Sequence, residues 1–155
     1  MTHFEGCPGS RVMDLRDEGS PEETAGKVKS QLKQWPIQLH LISPVAPYYQ
    51  GADVLLTADC VAYAIGGFHA EYLKGKAIAI ACPKLDEGQE EYVEKIKAWL
   101  DDARINTLTV LIMQVPCCMG LLNLAKQAAQ SAQRKVPVKA VIVGIQGNIL
   151  SEEWV

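Results

Sequence analysis

The feature that most restricts how this chain can fold is a set of short apolar runs without polar alternation, interleaved with segments of helical periodicity. The runs are Val54-Leu55-Leu56, Ala77-Ile78-Ala79-Ile80-Ala81, Leu108 to Met113 and Val138 to Ile145. A strand that is apolar on both faces is buried on both, as in a parallel sheet covered by helices. Between the runs lie Val61 to Leu73, with a break expected at Gly66-Gly67, then Asp86 to Ala103, then the alanine-rich Leu121 to Ala132. In the second of these, Tyr92, Ile96, Trp99 and Leu100 fall on one face. Strands alternating with helices imply right-handed crossovers. The expected fold is therefore a three-layer, doubly wound α/β domain of the Rossmann or flavodoxin type, with a mostly parallel sheet.

Upstream, Ser20-Pro21-Glu22-Glu23 supplies an N-cap, a proline at the first helical position and an acid at the third, which predicts a helix to about Gln34. Trp35-Pro36 ends it, and Ile37 to Ile42 reads as a strand stopping at Ser43-Pro44. After Ile145 the sequence predicts only a short acidic tail. The organisation is thus an N-terminal arm over residues 1–19, rich in glycine and charge and carrying Cys7, followed by one domain over residues 20–155.

At 155 residues, 48% hydrophobic and 21% charged, the chain is expected to bury a core rather than to be disordered. A net charge of −3 argues against a basic nucleic-acid surface. The apolar runs fall far short of the roughly 18 residues that span a bilayer, so no membrane partner is expected. The opening residues MTHFEGCPGS lack a basic region followed by an apolar stretch, so the expectation is a cytoplasmic, reducing setting. Five cysteines, an odd number, argue there against a disulfide framework and make the thiols the feature to explain.

Cys60 follows the strand ending near Thr57, Cys82 follows the one ending at Ala81, and Cys117-Cys118 follow the one ending near Met113. In an open parallel sheet the carboxyl ends of strands share the edge where ligands bind, so thiols distant in sequence converge. Cys7-Pro8, Cys82-Pro83 and Pro116-Cys117 place proline beside three of the cysteines, which stiffens their loops. Gly6, Gly9 and Gly120 nearby leave room for backbone to approach a bulky inorganic group. A single buried cysteine is often just a small hydrophobe, but four would not select strand-end loops for that reason. Thiolates suit zinc, Cu(I) and iron–sulfur clusters. The paired C-x₂₋₄-C knuckles of structural zinc and the C-x₂-C-x₂-C-x₃-C run of small ferredoxins are both missing, which leaves a cluster seated on a preformed scaffold.

The remaining motifs are weaker. Neither G-x-G-x-x-G nor G-x-x-x-x-G-K-[ST] occurs, and Gly144-Ile145-Gln146-Gly147, which ends a strand where a ligand could touch it, reads rather as a plain turn. His40 reads as a core histidine within an apolar strand and His69 as an exposed or packing residue, with His3 too near the terminus to weigh. Glu90-Glu91 and Asp101-Asp102 read as a solvated helix face.

The segments EGCPGSR, WPIQLHLISPVAPYYQGADVLLTADCVAYA, ACPKLDEGQEEYVEKI, LTVLIMQVPCCMGL and VPVKAVIVGIQGNILSEEWV, which together run from near Gly6 to Val155, carry a specific resemblance. They closely resemble the C-terminal part of anaerobe proteins described as 4Fe-4S ferredoxins. In that family the region follows a two-cluster ferredoxin module that this sequence lacks, so an excised domain or a shorter homologue is expected. Cys117-Cys118 also resembles the tandem cysteines that hold a cluster in electron-transfer subunits of complex I and nickel–iron hydrogenases.

Two functions follow as expectations. The first is a [4Fe–4S]-type redox or electron-transfer domain, part of a redox enzyme or an electron-transfer protein. Its cluster is held by Cys60, Cys82 and one or both of Cys117 and Cys118, with Cys7 folding over as a lid. A ferredoxin-type electron donor or acceptor is the expected partner, and a homodimer the expected candidate assembly. The second is a zinc-binding or vicinal-thiol regulatory domain without a cluster.

Overall fold

The computed structural model describes residues 8–16 and 27–155. Its frame is a five-stranded sheet of β3 (Asp53–Ala58), β4 (Ala77–Ala81), β5 (Thr107–Met113), β6 (Val138–Val143) and β7 (Ile149–Trp154), in the order β4-β3-β5-β6-β7. The first four strands are parallel; β7 pairs antiparallel with β6. A two-stranded ribbon of β1 (Met13–Asp14) and β2 (Gln34–Trp35) stands apart from it. All four apolar runs form strands, the last only as far as Val143, and Val54, Leu56, Ala79, Val110, Leu111, Ile112 and Val141 are fully buried.

Helices α1 (Val61–Ala64), α2 (Gln89–Asp101) and α3 (Met119–Ser131) provide the crossovers. The break expected at Gly66-Gly67 is present: α1 stops after four residues and a π-helical turn, His69–Leu73, completes the connection. From β3 the chain steps outward to β4, and from β5 it steps the other way to β6. Right-handed crossovers in opposite directions place their connections on opposite faces. Accordingly Glu71 and Tyr72 overhang Leu55, Thr109 and Val141, lining a cavity of about 230 Å³ on one face. On the other, α2 and α3 pack against each other, with Tyr92, Ile96, Trp99 and Leu100 of α2 buried as the periodicity predicts.

Several expectations before and after this frame are overturned. The helix from Ser20 to Gln34 begins in residues 17–26, outside the described set, but residues 27–33 are not helical and Gln34–Trp35 is strand β2. Gln34 is held there by a contact 44 residues away. Its side-chain amide accepts the Ile78 N–H at 2.7 Å and donates to the Ile78 carbonyl at 2.8 Å, mimicking a strand partner. Ile37 to Ile42 is not a strand. A single parallel bridge, Gln38 with Ile80, leads into a turn whose Leu39, His40 and Ile42 carbonyls are taken by the Lys95 ammonium at 2.8 to 2.9 Å. His40 is therefore on a half-exposed turn, its ring against Tyr92 at 4.3 Å, rather than in a core strand. The acidic tail is strand β7. Helix α2 begins at Gln89 rather than Asp86, leaving 82–88 as a loop. Among the described residues no helix is long and apolar enough to cross a membrane.

Candidate functional site

Because β3 and β5 are neighbours whose crossovers leave in opposite directions, their carboxyl ends flank a topological switch point, the place where open α/β sheets bind ligands. Cys60 closes the β3 side as the residue before α1. The β5 side carries Cys117 and Cys118 in a 3₁₀ turn, Pro116–Cys118, that runs directly into α3. Pro116 at the head of that turn has no N–H to lose, and the turn leaves Cys118 at the N-cap of α3 without a side-chain cap bond. Both cysteines thus stand at the amino end of a 13-residue helix.

All four described cysteines are free: Cys60 and Cys117 are exposed, Cys82 is half-buried and Cys118 is buried. Burial pushes the Cys118 thiol up, a backbone hydrogen bond from Met113 opposes this, and the nearby Cys117 and Cys60 sulfurs add to the rise. Cys60 and Cys117 are therefore near enough to act on Cys118 across the switch point. Cys82 belongs to the adjoining loop after β4. That loop reaches the same place through Pro83, which lies against Gly120 in the first turn of α3. Among the described residues, no three histidine, cysteine or acidic side chains stand close enough together to hold a metal ion. Cys7 lies outside the described residues. Its neighbour turn, Pro8–Ser10, is fixed by the Trp35 indole, which donates to the Gly9 carbonyl at 2.8 Å.

Three residues to which the sequence reading gave no functional role, Asp59, Asp86 and Tyr92, complete the edge. The Asp86 carboxylate accepts the Cys82 N–H at 2.9 Å and the Tyr92 hydroxyl. Burial pushes the Tyr92 phenol up, the bond to Asp86 adds to this, and Asp59 and Cys82 contribute at longer range. Asp59 Oδ1 is buried with no hydrogen-bond partner among the described residues, and burial followed by the Asp86 charge raises its carboxyl. A signal was present in the sequence: Asp59 precedes Cys60 and Asp86 follows Cys82 by four residues, both just beyond strand ends. The loop over 144–148 bounds the edge beyond β5. The Gln114 side chain accepts the Ile145 N–H at 3.0 Å, and Gly147, at φ +87°, lies where any Cβ would collide with the Ala64 carbonyl. This glycine turn is thus a packing device between α1 and the last parallel strand.

Residues 46–155 match the model of a family described as a Rossmann-like domain. The chain belongs to that family. The match spans all five strands of the main sheet and both switch-point loops, and excludes the β1–β2 ribbon. An uncharacterised protein of Archaeoglobus fulgidus is 28% identical over 121 residues, covering 77% of this chain and 83% of that protein. No solved structure matches the chain. The family match carries the scaffold, and a scaffold of this kind does not by itself fix a function.

Proposed function

We propose that this domain holds an iron–sulfur cluster of [4Fe–4S] type on the thiols at the carboxyl edge of its sheet and serves as a redox or electron-transfer domain. The observation that carries the reading is the placement of Cys60 and of Cys117-Cys118 just after the two strands that flank the switch point. The donor set fits the group, since free thiols on short loops are soft ligands. The resemblance of the whole chain to the C-terminal region of 4Fe-4S ferredoxins supports the same reading, with a ferredoxin-type module as the electron partner. The ligands are Cys60, Cys82 and one or both of Cys117 and Cys118, with Cys7 as a lid.

A bound cluster supplies one-electron transfer. The chain's own part is to present and organise the thiols. Cys117 and Cys118 are presented at the start of α3, Pro83 restricts the Cys82 loop and Pro116 that of the vicinal pair, and Cys60 stands exposed across from them. Movement of these thiols is required, because the described side chains are not already gathered into a coordination group. Metal binding and ordering of the edge are then one event.

Anaerobic reconstitution with iron and sulfide tests the proposal. A brown protein with stoichiometric iron and sulfide and an EPR signal on reduction is expected; a colourless protein that takes up zinc alone sinks it. A second reading, a zinc-binding or vicinal-thiol regulatory domain without a cluster, is favoured by the adjacency of the free Cys117 and Cys118 in one short turn. Metal analysis of the same preparation separates the two.

A further inference from the structure

The loop after β4 is tied down by one carboxylate. Asp86 donates its backbone N–H to the Cys82 carbonyl at 2.9 Å, while its side-chain Oδ2 accepts the Cys82 N–H at 2.9 Å. One residue therefore grips both backbone groups of Cys82 and closes the loop between them. The same Oδ2 accepts the hydroxyl of Tyr92, a fully buried residue of the first half of α2. Gln89 reinforces the loop by donating to the Pro83 carbonyl at 2.7 Å.

An aspartate just ahead of a helix usually caps it. Here the N-cap of α2 is Gly88, in the left-handed region, and it has no side-chain cap bond. The Asp86 carboxylate is committed to Cys82 and Tyr92, not to the helix.

We propose that Asp86 is the positioning residue for Cys82: it fixes the backbone from which the sulfur projects and places a negative charge beside it. The proposal rests on the iron–sulfur reading for what Cys82 does, whereas the grip on the loop stands apart from that reading. It has two consequences. The Cys82 N–H is consumed by a carboxylate, so it does not donate to a cluster sulfur. The neighbouring charge disfavours the added electron and holds the reduction potential down.

The test compares the full wild-type chain with Asp86→Asn and Asp86→Ala after anaerobic reconstitution with iron and sulfide. Asparagine keeps an acceptor oxygen for both donors and drops the charge. Asp86→Asn is expected to load iron like the wild type with its midpoint potential shifted upward. Asp86→Ala, without the grip, is expected to lose at least about half of its iron and sulfide. A wild-type midpoint in Asp86→Asn, or a full load in Asp86→Ala, overturns the proposal. The Asp86→Asn midpoint decides the matter if Asp86→Ala fails to fold.

Hydrogen exchange on metal-free protein reads the grip separately. The Cys82 amide is expected to exchange about tenfold faster in Asp86→Ala and at the wild-type rate in Asp86→Asn. Unchanged exchange in Asp86→Ala overturns the proposal whatever the metal result. A wild type that takes up no iron and sulfide overturns the iron–sulfur reading instead, and this exchange then decides the grip alone.

Discussion

Pro83 lies against Gly120, its Cβ 3.2 Å from the point that a Cβ on residue 120 would take. This contact joins the Cys82 loop to the helix that carries Cys117 and Cys118 at its start. Gly120→Ala should gain about 1 kcal/mol of helix propensity and spend part of it pushing the proline ring aside. The expected result is an unfolding midpoint within about 3 °C of wild type, together with roughly half the iron retained after reconstitution. Thermal unfolding and iron assay on the same sample check the two halves.

Cys60, Cys117 and Cys118 should differ in reactivity on metal-free protein. Cys118 is buried and its thiol is pushed up, while Cys60 and Cys117 are exposed. Iodoacetamide at pH 8 should modify the two exposed thiols roughly tenfold faster or more, as thiolate fraction and access both dictate. Peptide mass spectrometry over time measures this, and equal rates at the three positions would contradict the burial assigned to Cys118.

Lys95→Met should loosen the turn at 39–42. The ammonium satisfies three carbonyls that face no strand, and methionine fills the same space without a donor. A loss of about 2 kcal/mol is expected, or roughly 4 to 8 °C in unfolding midpoint. Circular dichroism melts provide the measurement.

Asp101 ties the end of α2 to the segment after α3 by accepting the Arg134 N–H at 2.9 Å and the Gln133 N–H at 3.0 Å. The Arg134 amide above all, with the Gln133 amide and the charges of Lys97 and Arg134, holds its carboxyl below the ordinary value against the opposing effect of desolvation. A carboxyl lowered on folding adds stability above its unfolded value, near pH 3.9, and that stability is lost as pH falls through the lower folded value. Asp101→Asn should therefore be less stable than wild type at pH 7, with the gap closing toward pH 3. Urea unfolding across that range tests the sign, and a gap that stays constant would show that the carboxylate's charge contributes nothing.

The parallel strands were legible because burial on both faces leaves an unbroken apolar run, and the thiol-bearing edge was legible because cysteines followed those runs. The misread elements depend on partners remote in sequence. Gln34 is drawn into a strand by Ile78, and the apolar Ile37 to Ile42 is bent into a turn by Lys95, 56 residues from Leu39. Strand β7 left no alternating pattern because both its faces are largely exposed; its glutamates suggested a tail, although β6 supplies its hydrogen bonds. The grip of Asp86 on Cys82 was hidden for a different reason. Local pattern places an aspartate there at the start of a helix, and only the structure shows where its carboxylate is directed.

The antiparallel return of β7 also decides how the molecule can be attached to anything else. Val155 donates its N–H to the Val138 carbonyl at 2.8 Å, beside the first residue of β6 and so at the amino edge of the sheet. A six-residue strand at about 3.4 Å per residue separates that point from the thiols by roughly 20 Å. A chain immobilised on an electrode through a tether after Val155 would present its cysteine edge outward, whereas a reporter placed after Val143 would stand at the thiols themselves.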